Sequence, residues 1–215
     1  MNSEILKPNP NFNTIMDDEK EKPKDDKAPP APMQEEKELF DARVILISSP
    51  VDAKLSHVIN SKLLAMERAS DSKPIYMYIN SPGGEVHSGF SIFDTTRFIK
   101  PNVITIVSGL AASMGSIIAL CAKKEHRFAF PNAKFLIHQP SVAGGMGGSV
   151  SDIEIHAKDL IDTKNMIIEL YAKETGNKTD VIKKALDRDH WMTPNQAKEF
   201  GLISKVITNR DELKI

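Results

Sequence analysis

Apolar positions recur along the chain in two alternating rhythms. Arg43-Val44-Ile45-Leu46-Ile47 is a short continuous run with β-branched residues and predicts a buried strand. Pro50 and Asp52 then open a stretch in which Leu55, Val58, Ile59, Leu63 and Met66 return every three or four residues. That is the spacing of one helix face, and it runs to the breaker Ser70-Asp71-Ser72. Residues 75–79 predict a second strand, closed by Asn80-Ser81-Pro82-Gly83-Gly84, and a helix follows to about Phe98, ahead of Pro101. Residues 103–107 predict a third strand that ends in Ser108-Gly109 and leads into a helix from around Ser113. Residues 134–137 predict another strand, ending at His138-Gln139-Pro140. Strands alternating with helices imply right-handed crossovers and a largely parallel sheet, an α/β fold. Sites in such sheets form beyond the carboxyl ends of strands. Gly83-Gly84, Ser113 and His138 each follow a predicted strand.

After Pro140 the rhythm changes. Gly144-Gly145-Met146-Gly147-Gly148 reads as a flexible segment. A helical pattern then runs from about Ser151 to Thr175, with Gly176 as its stop. A helix of about 25 residues spans ~37 Å, longer than a compact domain of this size needs, so it is expected to project toward another subunit. A short helix is expected over residues 180–186. Thr193-Pro194-Asn195-Gln196 carries an N-cap, a proline at the first helical position and Gln at the third, for a helix ending at Gly201.

Residues 1–37 are a separate compositional block. Asp17 to Lys27 mixes both charges, and Ala28-Pro29-Pro30-Ala31-Pro32 follows. So little apolar surface cannot offset the entropy of ordering, which predicts a disordered tail or removable propeptide ahead of one domain over 38–215. In the chain of 215 residues, 28 basic side chains nearly cancel 29 acidic ones, so no strong field draws nucleic acid or an anionic membrane. The start lacks the apolar core of a secretory signal, and no stretch reaches the ~18 apolar residues of a membrane span. The expectation is a soluble, cytoplasmic protein. The single Cys121, in an apolar run, excludes an intrachain disulfide and a cysteine-rich zinc site.

Four features could carry chemistry. Ser113 lies among small residues where a helix begins, so free N–H groups and the positive end of the dipole would stabilise an oxyanion there; a plain N-cap serine is the competing reading. The Gly83-Gly84 pair admits close backbone approach, or is simply a tight turn. His138 ends a strand and can serve as a general base, or be a structural histidine. Asp189 sits in Asp187-Arg188-Asp189-His190-Trp191, next to packed apolar surface or in a solvated charge cluster. His57, His87, His126, His156 and His190 are weaker candidates, and no pair has metal-ligand spacing with carboxylates.

Together these segments resemble the Clp protease proteolytic subunit family. The resemblance is carried by Tyr78-Ile79-Asn80-Ser81-Pro82-Gly83-Gly84 and by Gly109-Leu110-Ala111-Ala112-Ser113-Met114-Gly115. Arg127-Phe128-Ala129-Phe130-Pro131-Asn132-Ala133 leading to Ile137-His138-Gln139-Pro140 carries it further, with Asp187-Arg188-Asp189 and Ala197-Lys198-Glu199-Phe200-Gly201-Leu202-Ile203. It runs from about residue 43 to 207. It implies a crotonase-like α/β fold and a triad of Ser113 as nucleophile, His138 as base and Asp189 as orienting acid. The backbone N–H groups of Gly84 and Met114 are implied as oxyanion hole, and Asp187 and Arg188 as an inter-ring contact pair. The long helix corresponds to the family's handle, in a region of about 141–176. The implied assembly is two stacked heptameric rings, homo- or hetero-oligomeric, fed with unfolded protein by an AAA+ unfoldase that consumes ATP. The subunit itself would hold no metal or organic cofactor. The chain departs from the family before the first strand, where the usual N-terminal pattern has no match, and in its glycine-rich segment. Both departures suggest a divergent paralogue, and as an alternative a weakly active scaffold completing a mixed ring. An acyl-CoA enzyme of the crotonase fold and a membrane-bound signal-peptide-degrading protease are further competitors, disfavoured by the complete Ser–His–Asp set and by the lack of a span.

Overall fold

The computed structural model describes residues 34–141 and 147–213. Helix α1 spans Gln34–Asp41. Strand β1 (Val44–Ile47) leads to α2 (Ala53–Ala69), which Asp52 caps by accepting a hydrogen bond from the Leu55 N–H at 2.7 Å. Arg43 ties the other end of α2. Its guanidinium donates to the carbonyls of Met66 at 2.8 Å, Pro74 at 3.0 Å and Ser70 at 3.2 Å. Met66 lies in the last turn, where its carbonyl also accepts from the Ser70 N–H at 3.0 Å, and the cation suits the negative end of the dipole.

Strand β2 (Ile75–Ser81), helix α3 (Val86–Phe98) and strand β3 (Val103–Ala112) follow. Helix α4 (Met114–Ala119), a 3-10 turn at Lys124–His126, and strands β4 (Arg127–Ala129) and β5 (Lys134–Ile137) come next. The long helix α5 (Val150–Thr175) is followed by α6 (Thr179–Leu186), β6 (His190–Met192), α7 (Pro194–Phe200), β7 (Lys205–Val206) and a last 3-10 turn, Arg210–Leu213. Parallel pairing orders the main sheet β1-β2-β3-β4-β7, and β5 leaves it from β3 to pair antiparallel with β6. The expected α/β fold with a mostly parallel sheet is what forms. The reading of the glycine-rich segment at Gly144, Gly145 and Met146 lies outside the described residues.

Side-chain alternation sorts β2 between two cores. Ile75, Met77 and Ile79 face the main core with Ile45, Ile47, Ile59, Leu63 and Ile92, all fully or almost fully buried. Tyr76 and Tyr78 turn to a smaller cluster of Ile104, Ile106, Phe128 and Ile207. Each fully buried Ile or Leu contributes about 1.5–3 kcal/mol. Cys121 belongs to the main core, and burial pushes its thiol up to about 12, so it is protonated at neutral pH.

One sequence expectation needs correction. Strand β3 does not end at Ser108-Gly109 but runs to Ala112. Its pairing with β2 steps from Ile79↔Val107 to Ser81↔Ala111, so two extra residues bulge from β3. Asn80 fills the bulge: its Oδ1 accepts from the Leu110 N–H at 3.0 Å, and a Cβ at Gly109 would sit 2.5 Å from that oxygen. Past the bulge, β3 exchanges β4 for β5 as its neighbour. Arg127, at the end of the charged run Lys123-Lys124-Glu125-His126, begins β4 and is 1 % exposed. Arg127 pairs with Glu174 of α5, which also accepts from Arg97 of α3 at 2.7 Å. This cluster pins the carboxyl end of α5 to the sheet.

Candidate active site

The site is assembled by two strand registers. In the antiparallel pair of β5 and β6, Phe135 faces Met192, Leu136 faces Trp191 and Ile137 faces His190. One step further along the same register sets His138 opposite Asp189, and directly opposite residues point to one face. The side chains meet: His138 Nδ1 lies 3.1 Å from Asp189 Oδ1. The histidine side chain is 30 % exposed and the carboxylate 62 %, so the pair is wetted from the aspartate side. The acid in the charged run is therefore placed by sheet pairing, and His190, next to it in sequence, turns elsewhere to lie 5.9 Å from the Phe200 ring.

The second register is parallel. Leu110, Ala111 and Ala112 of β3 run beside Lys134, Phe135 and Leu136 of β5, and the Ser113 N–H donates to the Leu136 carbonyl at 2.9 Å. Ser113 thus sits at the end of β3 alongside the strand that delivers His138. Its backbone is in an uncommon region, φ 52 and ψ −123, at the sharp junction from β3 into α4. Such outliers cost about 1–3 kcal/mol and persist only where surroundings hold them. The plain N-cap alternative is not what forms, because the Ser113 side chain makes no cap hydrogen bond. Among the described residues the hydroxyl makes no hydrogen bond to His138 either. The structure joins His138 to Asp189 and leaves Ser113 on the adjoining strand end.

The paired glycines pack against this junction. A Cβ on Gly83 would lie 2.7 Å from Ser113 Cβ and 2.8 Å from Met114 N. Gly84 has φ +149 and bridges to Val51, whose N–H donates to Gly83 O at 2.8 Å and whose carbonyl accepts from Glu85 N at 2.7 Å. These bonds flank Gly84 and direct its own N–H away from Val51. A Cβ there would meet the Val51 carbonyl oxygen at 2.2 Å. Gly84→Ala is therefore expected to displace the whole turn beside Ser113, lowering activity by on the order of a hundredfold, the scale of a lost oxyanion donor if the resemblance holds for Gly84. Hydrolysis of a small fluorogenic peptide by the folded variant measures it, and activity within twofold of the parent protein would contradict the placement.

Gln139 braces the histidine end of β5. Its N–H donates to the Leu186 carbonyl at 2.7 Å and its Nε2 to the Asp187 carbonyl at 2.9 Å, while Lys164 of α5 donates to its Oε1 at 2.8 Å. Asp187 and Arg188 lie just past α6 with exposed side chains and no ion pair between them among the described residues. Two buried residues beside the Ser113 turn escaped the sequence reading. Ser116 and Tyr171 are buried behind Ser113, their oxygens 2.6 Å apart. A helical apolar stripe absorbs Tyr171 and a run of small residues absorbs Ser116, so neither gave a local signal. Among the described residues no group of three His, Cys, Asp or Glu side chains is arranged to hold a metal ion.

A serine on a strained strand-to-helix turn, an adjoining His–Asp pair and glycine N–H groups at the ends of one sheet are the residue set of a serine-type hydrolase. Comparison with known proteins gives the family. The family model described as Clp protease matches residues 32–210. The ATP-dependent Clp protease proteolytic subunit 1 of Chlamydia pneumoniae is 44 % identical over 178 residues, covering 83 % of this chain and 93 % of that protein. Its counterpart in Chlamydia muridarum matches with the same identity and coverage. A mutant of ClpP1 from Listeria monocytogenes superposes with a TM-score of 0.77 at 39 % identity, covering 83 % of this chain and 98 % of that one. The chain belongs to the Clp protease family and is a serine-type peptidase subunit of that family.

Proposed function

We propose that Ser113 is the nucleophile of this peptidase, with His138 as its base and Asp189 as the group that orients the base. The observation that carries the reading is the His138–Asp189 pair, at 3.1 Å, beside the strained Ser113 turn. Serine is a weak nucleophile until a base takes its proton. The Asp189 carboxylate accepts from His138 Nδ1–H, which leaves Nε2 free to receive the Ser113 proton and stabilises the imidazolium that forms. Attack on the peptide carbonyl creates a negative oxygen that the N–H groups of Gly84 and Met114 would stabilise. Collapse expels the amine, to which His138 returns the proton. Water, activated by the same histidine, then hydrolyses the acyl-enzyme.

The assembly extends this reading. Helix α5 carries Val150, Ile155, Ile161 and Met166 exposed, apolar surface that two stacked heptameric rings would cover. Asp187 and Arg188, exposed just past α6, would then contact the facing ring. An AAA+ unfoldase consuming ATP would deliver unfolded chains to the enclosed chamber, so that delivery sets much of the specificity. The tail or propeptide expected over residues 1–37 would precede the peptidase domain, and the cytoplasm is the expected compartment.

Asp189→Asn tests the geometry. The buried aspartate of a typical triad is worth about 10⁴ in kcat, largely through the histidine tautomer. Asp189 is more than half exposed, so water shares its role and the expected fall is on the order of 10²- to 10³-fold. Unchanged kcat for peptide hydrolysis by the assembled variant would remove Asp189 from the triad.

A further inference from the structure

Two buried hydroxyls stand directly behind the nucleophile turn. Ser116, 1 % exposed, donates from Oγ to the Ser113 carbonyl oxygen at 2.6 Å. Its Oγ also lies 2.6 Å from the hydroxyl of Tyr171, which is 1 % exposed and comes from α5, 55 positions along the chain. Ser116 has a single proton and gives it to Ser113, so Tyr171 O–H is the donor to Ser116 Oγ. Burial pushes the Tyr171 phenol above its ordinary range, against the opposing pull of the Ser116 hydrogen bond, and the proton stays on the ring oxygen. The chain of donors therefore runs one way, from Tyr171 to Ser116 to the Ser113 carbonyl.

That carbonyl shares a peptide unit with the N–H of Met114. The unit is planar and trans, so the C=O and the N–H point oppositely within one plane. Anchoring the carbonyl aims the N–H. The Ser113 oxygen also accepts from the Ser116 N–H at 3.0 Å and the Ile117 N–H at 3.4 Å. Three donors thus hold the plane on its α4 side, at a residue whose own φ and ψ are strained. Hydrogen bonds in series polarise one another, which strengthens the N–H at the far end. The anchor is itself rigid: Thr175 Oγ1 donates to the Tyr171 carbonyl at 2.7 Å, and Glu174 is gripped by Arg97 and Arg127.

We infer that Tyr171 and Ser116 are positioning residues for the hydrolysis, holding the Ser113–Met114 peptide plane so that the Met114 N–H faces the oxyanion, and coupling that plane to the long helix α5. The inference rests on the reading of Ser113 as nucleophile and Met114 as donor.

A purely structural hydroxyl pair would affect stability and leave kcat and KM alone in the protein that remains folded. The relay acts only where negative charge develops, so it lowers kcat at constant KM. In the full-length assembled protein, Tyr171→Phe is expected to lower kcat for a fluorogenic peptide on the order of tenfold, less than the 10²–10³ of deleting a donor outright. Affinity for a peptide boronate, which forms a tetrahedral anion on serine, should fall by the same factor. Ser116→Ala should lower kcat at least as far, and adding Tyr171→Phe to it should change little, because the two hydroxyls act in one chain. Should Tyr171→Phe not assemble, Ser116→Ala alone carries the same comparison of kcat, KM and boronate affinity. Unchanged kcat and boronate affinity in a folded variant, or effects of the two substitutions that multiply, would overturn the relay while leaving Ser113 in place. A parent protein whose hydrolysis survives Ser113→Ala would instead overturn the nucleophile assignment, and the relay with it.

Discussion

Ser113→Ala is expected to abolish peptide hydrolysis, with a loss of about 10⁵- to 10⁶-fold in kcat, the scale seen when a triad nucleophile is removed. The residual rate over water comes from the oxyanion donors and substrate positioning, which the substitution leaves intact. Structural loss is expected to be small. The Ser113 hydroxyl makes no cap hydrogen bond, and the N–H and carbonyl that hold the turn are backbone groups that alanine retains. The strained φ of 52 is uncommon for either side chain, so the strain does not change sign between them. The measurement is steady-state hydrolysis of a short fluorogenic peptide, with thermal unfolding as the control. A folded Ser113→Ala protein retaining a tenth of the parental rate would place the nucleophile elsewhere.

The second large effect is on stability. Glu174→Ala leaves two arginines facing the cavity that the carboxylate occupied. Arg127 is 1 % exposed, and burial already draws its guanidinium below its ordinary value while Glu174 draws it back. Removing one partner of a buried ion pair costs about 3–5 kcal/mol, because the remaining charge stays in a poorly solvated site. Arg97, whose side chain is about a third exposed, adds little to that sum. The Arg127 bonds to the Ala122 and Glu174 carbonyls survive, which sets the upper limit of the loss. At roughly 2–4 °C per kcal/mol for a domain of this size, Tm should fall by roughly 6–20 °C. Thermal unfolding of the two proteins at equal subunit concentration reads the difference. A shift under 2 °C would mean that Arg127 reaches water or another acceptor without Glu174.

Local signals recovered α2 to α7 well, though not α1. Asp52 before α2 and the Thr193–Gln196 capping box before α7 act within four residues of chain, so the stops and starts they encode are visible in sequence. The Ser149–Asp152 box at the head of α5 is equally local, and the helix begins at Val150, one residue from the expected start. Strands β4, β6 and β7 were not legible, because three- and two-residue strands carry no periodicity and exist only through their partners. The extension of β3 was hidden for a related reason: Ser108-Gly109 looks like a terminator until Asn80, from the neighbouring strand, fills the bulge. The buried ion cluster joins residues 77 and 47 positions apart, and its charges read as surface until the fold closes over them.

The site divides the same way. Ser113, Gly84 and His138 could be singled out because each follows an apolar strand. Asp189 could not be separated from its charged neighbours by local pattern, and the family resemblance selected it. Its position opposite His138 follows from the β5–β6 register, a pairing between segments about fifty residues apart.

The most direct test of the central claim is reaction of the purified full-length protein with a fluorophosphonate probe, followed by peptide mapping. The account predicts a covalent adduct on Ser113 that is lost in His138→Ala, since the serine needs its base to attack phosphorus. Absence of an adduct on Ser113 in the assembled protein, or an adduct that persists unchanged in His138→Ala, would contradict the assignment of Ser113 and His138 as nucleophile and base.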